Sequence, residues 1–171
     1  MNINAKSKKI LNAKNRKKLN AKRLNYKIKT FKGNVLKINE NNIYDAILID
    51  PPCSSIGTIR KNPEILFRNK EPVLSLFVDL QYKMLEKASK LLKKDGVLIY
   101  STCSFNKKEG SKQIKKFLEN NQNFKIDPIK KIEAGNFYKL ITSKGYFQSY
   151  PNDLKSLGGI DGFFIARLIK K

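Results

Sequence analysis

The sequence predicts an α/β fold built around a parallel sheet, and three observations support this prediction. Short continuous apolar runs, typical of buried strands, occur along the chain. They alternate with longer segments of helical apolar spacing, and strands that alternate with helices favour crossover connections between parallel strands. The 171 residues, 40% of them apolar, can supply the core of one compact domain.

The first predicted elements lie in the most basic part of the chain. Residues 1–39 contain thirteen Lys or Arg residues and no acidic residue. From Lys8 to Leu24, apolar residues recur at roughly helical spacing among these cations, which predicts a basic surface helix. Alternation over Lys27–Phe31 predicts a strand. The continuous apolar run Tyr44–Asp50 predicts a second strand that is buried on both faces.

Four further elements are predicted between residue 73 and the C-terminus. They are a long helix over Val73–Leu92, a strand over Val97–Ser101, a helix over Lys107–Asn120 and a closing strand over Gly162–Ile169. Lys93–Lys94 falls in the last turn of the long helix, and Gly96 ends it. Asn120–Lys144, where Asn, Lys and Pro dilute the pattern, is predicted to be a loop or linker.

The composition excludes several kinds of site and favours a polyanionic partner. The sequence has no histidine, so it offers neither a Cys/His zinc site nor a Cys-His or Ser-His catalytic pair. It has no apolar run of membrane-spanning length and no apolar N-terminal signal segment, so we expect a cytoplasmic protein. The net charge of +22 favours contact with a phosphate backbone, although an AT-rich genome would also enrich Lys and Asn.

Both cysteines of the chain directly follow predicted strands, where open α/β sheets bind their ligands. The first strand ends in Asp50-Pro51-Pro52-Cys53, and the strand over Val97–Ser101 is followed by Thr102-Cys103-Ser104. A single cysteine at such a position is more often a small buried apolar residue than a nucleophile. Two cysteines at strand ends, each beside serine, favour a catalytic pair, and two inert core thiols are the alternative.

Methylation of cytosine at carbon 5 is a reaction that needs such a pair. Carbon 5 is a poor nucleophile until a thiolate adds at carbon 6 and forms an enamine. A second group must hold or protonate the ring nitrogen, and a third must help to undo the adduct. Asp50 and Cys53 are placed for these roles. On chemistry alone the two cysteines can exchange roles, so either can be the nucleophile.

Five stretches of the sequence carry a family resemblance. They are DPPCSSIGTIRKNPEI, the Leu80-Gln81 helix, KKDGVLIYSTCS, Glu109 and the terminal DGFFIARLIKK. In this order they resemble the bacterial RsmB/Nop2/Sun-type RNA cytosine-5 methyltransferases, from about Leu19 to the last residue. The resemblance implies a partial Rossmann-like class I S-adenosylmethionine-dependent methyltransferase fold, with S-adenosylmethionine as cofactor and ribosomal RNA as substrate.

The resemblance also implies roles for individual residues. Cys103 would be the nucleophile, and Cys53 would aid release. Asp50 would be a carboxylate beside cofactor and base, with Pro51 next to it, and Asn34 aligns with a family acid that lies near the adenine. An amide replaces that acid here. Independently of the resemblance, the basic pair Arg60 and Lys61 is a candidate for phosphate contacts, which position RNA without specifying it.

Some family features are missing from the sequence. It lacks the first two strands and the glycine-rich loop resembling Ala-Pro-Gly-Gly-Lys, and Lys8 stands near the place of the ribose-binding acid. We therefore expect a truncated catalytic domain over 1–171, with a basic helix and strand over 1–39 and the catalytic half over 40–171. Inner sheet edges would then stay unpaired.

Three explanations of the missing part remain open at this point. They are a complementing chain that carries the cofactor loop, a disrupted gene and a start codon placed too far downstream. A non-catalytic basic RNA-binding remnant is the alternative function.

Overall fold

The computed structural model describes residues 23–26, 33–39, 41–67 and 74–171. The chain divides into two compact units, Met1–Asn34 and Val35–Lys171. In the first unit, a turn follows Arg23, and Asn25 in it has a left-handed conformation with φ of 54°. The helix predicted over Lys8–Leu24 lies almost wholly outside the described residues, and the strand over Lys27–Phe31 lies wholly outside them.

The second unit is a five-stranded sheet with helices packed on it. The strands are β1 (Tyr44–Ile49), β2 (Leu92–Thr102), β3 (Phe124–Ile126), β4 (Phe147–Gln148) and β5 (Phe164–Lys170). The α-helices are α1 (Leu74–Leu91), α2 (Ser111–Asn120) and α3 (Lys131–Ala134). Short 3₁₀ helices lie at Val35–Lys37, Ile56–Thr58, Pro63–Phe67, Gly135–Leu140 and Lys155–Leu157.

The sheet is mixed, so the prediction of a parallel sheet was wrong. The strand order is β1-β2-β5-β3, and β4 also pairs with β5. β1 and β2 are parallel, whereas β5 is antiparallel to β2, β3 and β4. Helix α2 connects β2 to β3, which therefore run in the same direction. β5 enters between them after an irregular segment, and an antiparallel neighbour requires no crossover helix.

Strand β1 confirms the predicted strand, but it is not buried on both faces. Ile49 is 5% exposed, whereas Leu48 is 65% exposed. Among the described strands, β1 pairs only with β2 and forms the edge of the sheet. Helix α1 packs on β1 from one side. Successive side chains point to opposite faces, so those on the uncovered face stay exposed.

Two other predicted boundaries differ from the structure. Helix α1 ends at Leu91 and β2 begins at Leu92, so Lys93–Lys94 belong to the strand and not to the last helical turn. Asp95 has a left-handed conformation with φ of 60°, in the same region as an irregularity in the β1–β2 register. The segment Asn120–Lys144, predicted as a loop or linker, contains β3 and α3. Short elements of three or four residues leave too little periodicity to be recognised.

The core lies between the sheet and helices α1 and α2. Its fully buried side chains, at most 1% exposed, include Leu85, Leu98, Tyr100, Ile114, Phe117, Phe164 and Leu168. Burying a large apolar side chain contributes about 1.5–3 kcal/mol, so this cluster anchors the ends of the central strands. No helix in the described part of the chain is long and apolar enough to cross a membrane.

Candidate functional site

The ends of β1 and β2 bring the two cysteines into contact. The strands are parallel neighbours, with Ile49 opposite Tyr100, so the segments that follow them leave the same edge of the sheet. Cys53 Sγ lies 3.1 Å from Cys103 Sγ, and both are free, partly buried thiols. Two residues that are 50 positions apart in sequence therefore form one chemical site.

The pair is asymmetric, because the pKa values of the two thiols shift in opposite directions. The Sγ atoms of Cys53 and Cys103 share a hydrogen bond, and Cys103 Sγ also lies 3.5 Å from the Ser55 hydroxyl oxygen, within hydrogen-bond distance. These hydrogen bonds outweigh burial and lower the pKa of Cys103 to about 6. The hydrogen bond to Cys103, together with burial, raises the pKa of Cys53. These opposite shifts favour Cys103 as the thiolate of the pair and Cys53 as the thiol.

Ser55 reaches this position through an unusual backbone conformation. It has φ of 59° and ψ of 15°, in the left-handed region that few residues other than glycine adopt. Such a conformation costs on the order of 1 kcal/mol or more and persists where the surroundings impose it. Here the turn directs the Ser55 hydroxyl at the two sulfur atoms.

A buried carboxyl group holds the loop that carries Cys53. Glu109 is 0% exposed and lies just before α2. Its Oε1 accepts the backbone N–H of Ser54 at 2.8 Å, and its Oε2 accepts the Ser54 hydroxyl at 2.5 Å. The residue directly after Cys53 is thus fixed by two hydrogen bonds to one side chain.

A buried amide holds the same loop from the other side. Gln81 of α1 donates from Nε2 to the carbonyl of Pro52 at 3.0 Å and to Glu109 Oε1 at 3.1 Å. Tyr100 donates its hydroxyl to Gln81 Oε1 at 3.2 Å and to the Glu109 carbonyl at 2.8 Å. Burial is the main cause that raises the pKa of Tyr100, so the phenol remains a donor. Both neighbours of Cys53 are therefore tied to the core.

The backbone after Cys53 forms hydrogen bonds with the Thr-Cys-Ser and Asp-Gly-Phe-Phe motifs. Gly57 donates its N–H to the Cys103 carbonyl at 3.0 Å, and its own carbonyl accepts the Gly162 N–H at 2.7 Å. A Cβ atom at Gly57 would lie 1.8 Å from the Gly162 carbonyl oxygen, so only glycine fits without a shift. The Pro-Cys-Ser, Thr-Cys-Ser and Asp-Gly-Phe-Phe motifs thus meet at this point.

Asp50 and Pro51 lie directly after β1, at the same sheet edge as the cysteines. Asp50 is exposed and Pro51 is buried. The Asp50 carboxylate makes no hydrogen bond or ion pair with the described residues, although its negative charge acts on Cys103 by raising the pKa of that thiol slightly against the larger lowering effects. Asn34, the other predicted cofactor contact, belongs to the first unit, and its role stays a prediction.

The predicted RNA contacts Arg60 and Lys61 both face one buried carboxylate. Lys61 Nζ lies 2.8 Å from Asp161 Oδ2, and Arg60 Nε lies 3.9 Å from Asp161 Oδ1. Arg60 also donates to the carbonyl of Gly158 at 2.5 Å. Asp161 is only 6% exposed, and its single negative charge compensates one of these two cations within the protein.

Three residues of the site have roles that the sequence did not reveal: Ser55, Gln81 and Glu109. Gln81 had a signal, because it is a polar residue on the face of α1 that also carries buried Leu85 and Ala88. Glu109 followed the Thr-Cys-Ser motif, but its partner Ser54 lies 55 residues away. No local pattern could connect the two.

Comparisons with known proteins agree on one family. The family model described as 16S rRNA methyltransferase RsmB/F matches residues 3–169. The ribosomal RNA small subunit methyltransferase B of Pasteurella multocida is 37% identical over 127 residues, which are 74% of this chain and 26% of that protein. In other curated relatives, such as those from Synechocystis and Photorhabdus laumondii, the matched residues make up 28% of the relative's length. The chain therefore spans about a quarter of the length of these relatives.

Solved structures have the same fold. The crystal structure of PH0851 has a TM-score of 0.74 at 35% identity, over 88% of this chain and 33% of that chain. NSun6 from Pyrococcus horikoshii, solved with SFG, has a TM-score of 0.69 at 25% identity. The similarity covers 90% of this chain and 37% of the NSun6 chain. These similarities confirm the predicted fold class, that of class I S-adenosylmethionine-dependent methyltransferases. Because the family model matches almost the whole sequence, the chain belongs to the RsmB/F family of 16S rRNA methyltransferases.

Proposed function

We propose that the chain methylates carbon 5 of cytosine in ribosomal RNA, with S-adenosylmethionine as methyl donor and through a covalent adduct to Cys103. The observation that carries the proposal is the Sγ–Sγ contact of 3.1 Å, and the lowered pKa of Cys103 favours that residue as the nucleophile. Relatives named as ribosomal RNA small subunit methyltransferases support the substrate. A thiolate beside a protonated thiol suits a reaction that needs a nucleophile first and a base later.

In the first step, Cys103 adds to carbon 6 of the base. The sulfur electron pair forms the S–C6 bond, and the C5–C6 π electrons move into the ring, so carbon 5 becomes nucleophilic. Asp50 extends from the end of β1 and accepts a hydrogen bond from the exocyclic amino group, which orients the ring. A base in RNA must leave its stack to reach a partly buried thiolate.

In the second step, Cys53 reverses the adduct. Bond formation removes the negative charge from the Cys103 sulfur, and with it the hydrogen bond that raises the pKa of Cys53. After the enamine electron pair of carbon 5 has formed the bond to the methyl group, whose former carrier leaves with the electrons of the broken S–CH3 bond, Cys53 loses its proton to solvent and takes the proton from carbon 5. The C–H electron pair restores the C5–C6 double bond, the C6–S bond breaks, and Cys103 recovers its thiolate.

The cofactor, when bound, supplies the electrophilic methyl group. Asp50 and Pro51 fit a position beside it, because the Asp50 carboxylate is exposed and makes no hydrogen bond or ion pair with the described residues. SFG, an analogue of S-adenosylmethionine, in the related NSun6 structure supports this choice of cofactor. Asn34 is proposed to face the adenine.

The test distinguishes the roles of the two cysteines by whether a covalent protein–RNA adduct accumulates when each is replaced. The full chain is incubated with S-adenosylmethionine and a transcribed fragment of small-subunit ribosomal RNA. We expect Cys103→Ala to abolish methyl transfer without an adduct, and Cys53→Ala to accumulate a protein–RNA adduct that survives denaturing electrophoresis. The double variant is the control and should form none. Equal, adduct-free losses in both single variants would contradict the division of roles.

A second candidate function is non-catalytic RNA binding. The net charge of +22 favours it. It differs from the first proposal in cofactor dependence, because electrostatic RNA affinity needs no S-adenosylmethionine. RNA binding without any transfer, adduct or cofactor binding would favour this function.

A further inference from the structure

A second basic surface lies on α2, separate from the cations that face Asp161. It is a groove of about 760 Å³ between α2 and the turn that precedes β4. Lys107, Lys112, Lys115 and Lys144 line the groove. Its apolar side is fixed, because Leu118 packs against the core and Tyr146 is only 4% exposed. The lysines are therefore presented by a rigid part of the fold.

The charges of this groove are largely uncompensated. Lys107, Lys112 and Lys144 are exposed, and none has a carboxylate within 4 Å among the residues that the structure describes. Lys115 lies 3.7 Å from Glu119, the one acidic residue that lines the groove. Four lysines against one glutamate leave an excess of three positive charges. Arg60 and Lys61, in contrast, share the buried Asp161.

One lysine of the groove, Lys107, is close in sequence to the candidate active site. Lys107 follows Cys103 by four residues, so their Cα atoms are at most about 14 Å apart. Glu109, which holds the Cys53 loop, lies between Lys107 and α2. A strand whose target base reaches Cys103 can therefore place a neighbouring phosphate within reach of Lys107, and the other three lysines line the same groove.

We propose that this groove binds the phosphate backbone of a single-stranded segment of the substrate RNA, next to the target cytosine. The inference rests on the proposed function for the identity of the polyanion. Lysine ammonium groups suit phosphates as point charges and read no sequence, so the groove positions RNA for Cys103. A single strand fits because sequence-specific RNA enzymes act on bases that are not held in a duplex.

The test compares two variants of equal charge, both in the full chain. The groove variant replaces Lys107, Lys112 and Lys144 by alanine. The control variant replaces Lys83, Lys90 and Lys155, exposed lysines outside the groove, by alanine. The probe is a fluorescein-labelled, unstructured RNA oligonucleotide that contains cytosine, and its affinity is measured as a function of salt concentration.

We expect weaker binding and a flatter salt dependence for the groove variant only. Three lost phosphate contacts to a single strand lower the magnitude of the log K against log salt slope by about two, since each contributes about 0.7. The control variant should retain nearly the parent slope. Replacement of the same groove lysines by arginine should restore it. Equal slopes for the groove and control variants would overturn the proposal.

RNA binding and methyl transfer are measured separately, so the groove proposal and the proposed function can fail independently. Cys103→Ala should bind the oligonucleotide with the parent slope while losing methyl transfer. If Cys103→Ala instead retained methyl transfer, the proposed function would fail while the groove result stood. If the groove variant bound RNA like the parent while Cys103→Ala lost transfer, only the groove proposal would fail.

Discussion

At the scale of single residues, the hydrogen bonds of each thiol set its pKa and therefore its reactivity. Cys103 and Cys53 are the same chemical group, yet hydrogen bonds with Cys53 and Ser55 lower the pKa of Cys103 to about 6. The sequence could place both thiols at strand ends, because that follows from local pattern. It could not assign the thiolate, because Cys53 and Ser55 approach Cys103 through a loop whose left-handed turn has no sequence signature here.

The first prediction concerns the pH dependence of alkylation. Only the thiolate reacts with iodoacetamide, so the rate at Cys103 should rise with pH and reach half its maximum near pH 6. Cys53→Ala removes the hydrogen bond that contributes most to the lowered pKa of Cys103, so the midpoint should move upward toward the usual thiol range. Mass spectrometry of the labelled peptide gives the rate. Cys103→Ala is the control, in which Cys53 reacts only at alkaline pH. An unchanged Cys103 midpoint in Cys53→Ala would refute the hydrogen-bond explanation.

At the scale of elements, helix α1 and the segment before α2 support the site through buried polar groups. The hydrophobic pattern predicted α1 well, because eighteen residues give several turns of periodicity. The ends of the elements were less accurate. Strand β2 begins directly after α1, with no loop between them. Two consecutive lysines suit both a last helical turn and a strand, so Lys93–Lys94 could not mark the boundary.

Replacement of Glu109 by glutamine tests this support. The carboxyl group accepts three hydrogen bonds, from the Ser54 N–H, the Ser54 hydroxyl and Gln81. An amide of the same size turns one acceptor into a donor that faces donors, and a buried unsatisfied group costs about 1–3 kcal/mol. Urea denaturation should show a loss of unfolding free energy in this range.

The matched control is Glu119→Gln on the surface of α2. Glu119 is 61% exposed and lies 3.7 Å from Lys115, an ion pair worth at most about 0.5 kcal/mol. Its loss should barely change the free energy of unfolding. Similar effects of the two substitutions would mean that Glu109 does not anchor the Cys53 loop.

At the scale of the whole molecule, the order of the elements was predictable but the direction of β5 was not. A strand has the same apolar alternation when it is read in reverse, so Phe164–Lys170 could be recognised without its orientation. The exposure of β1 was missed for a related reason. The run Tyr44–Asp50 is apolar enough for a strand between neighbours, and sequence pattern does not report that β2 is its only partner among the described strands.

The last prediction tests cofactor binding as a property of the full chain. A ligand that binds only the folded state raises the free energy of unfolding by about 2.7 kcal/mol at a hundred times its Kd. S-adenosylmethionine should therefore raise the thermal midpoint of the chain, and calorimetry should give a finite Kd.

Asp50→Asn should reduce this shift, because it removes the exposed charge at the end of β1. Asp45→Asn is the control on the same strand, since Asp45 is engaged by Lys93 at 2.8 Å. A shift that both substitutions reduce equally would remove Asp50 from the cofactor site. No shift in the parent chain would refute cofactor binding and leave RNA binding as the function.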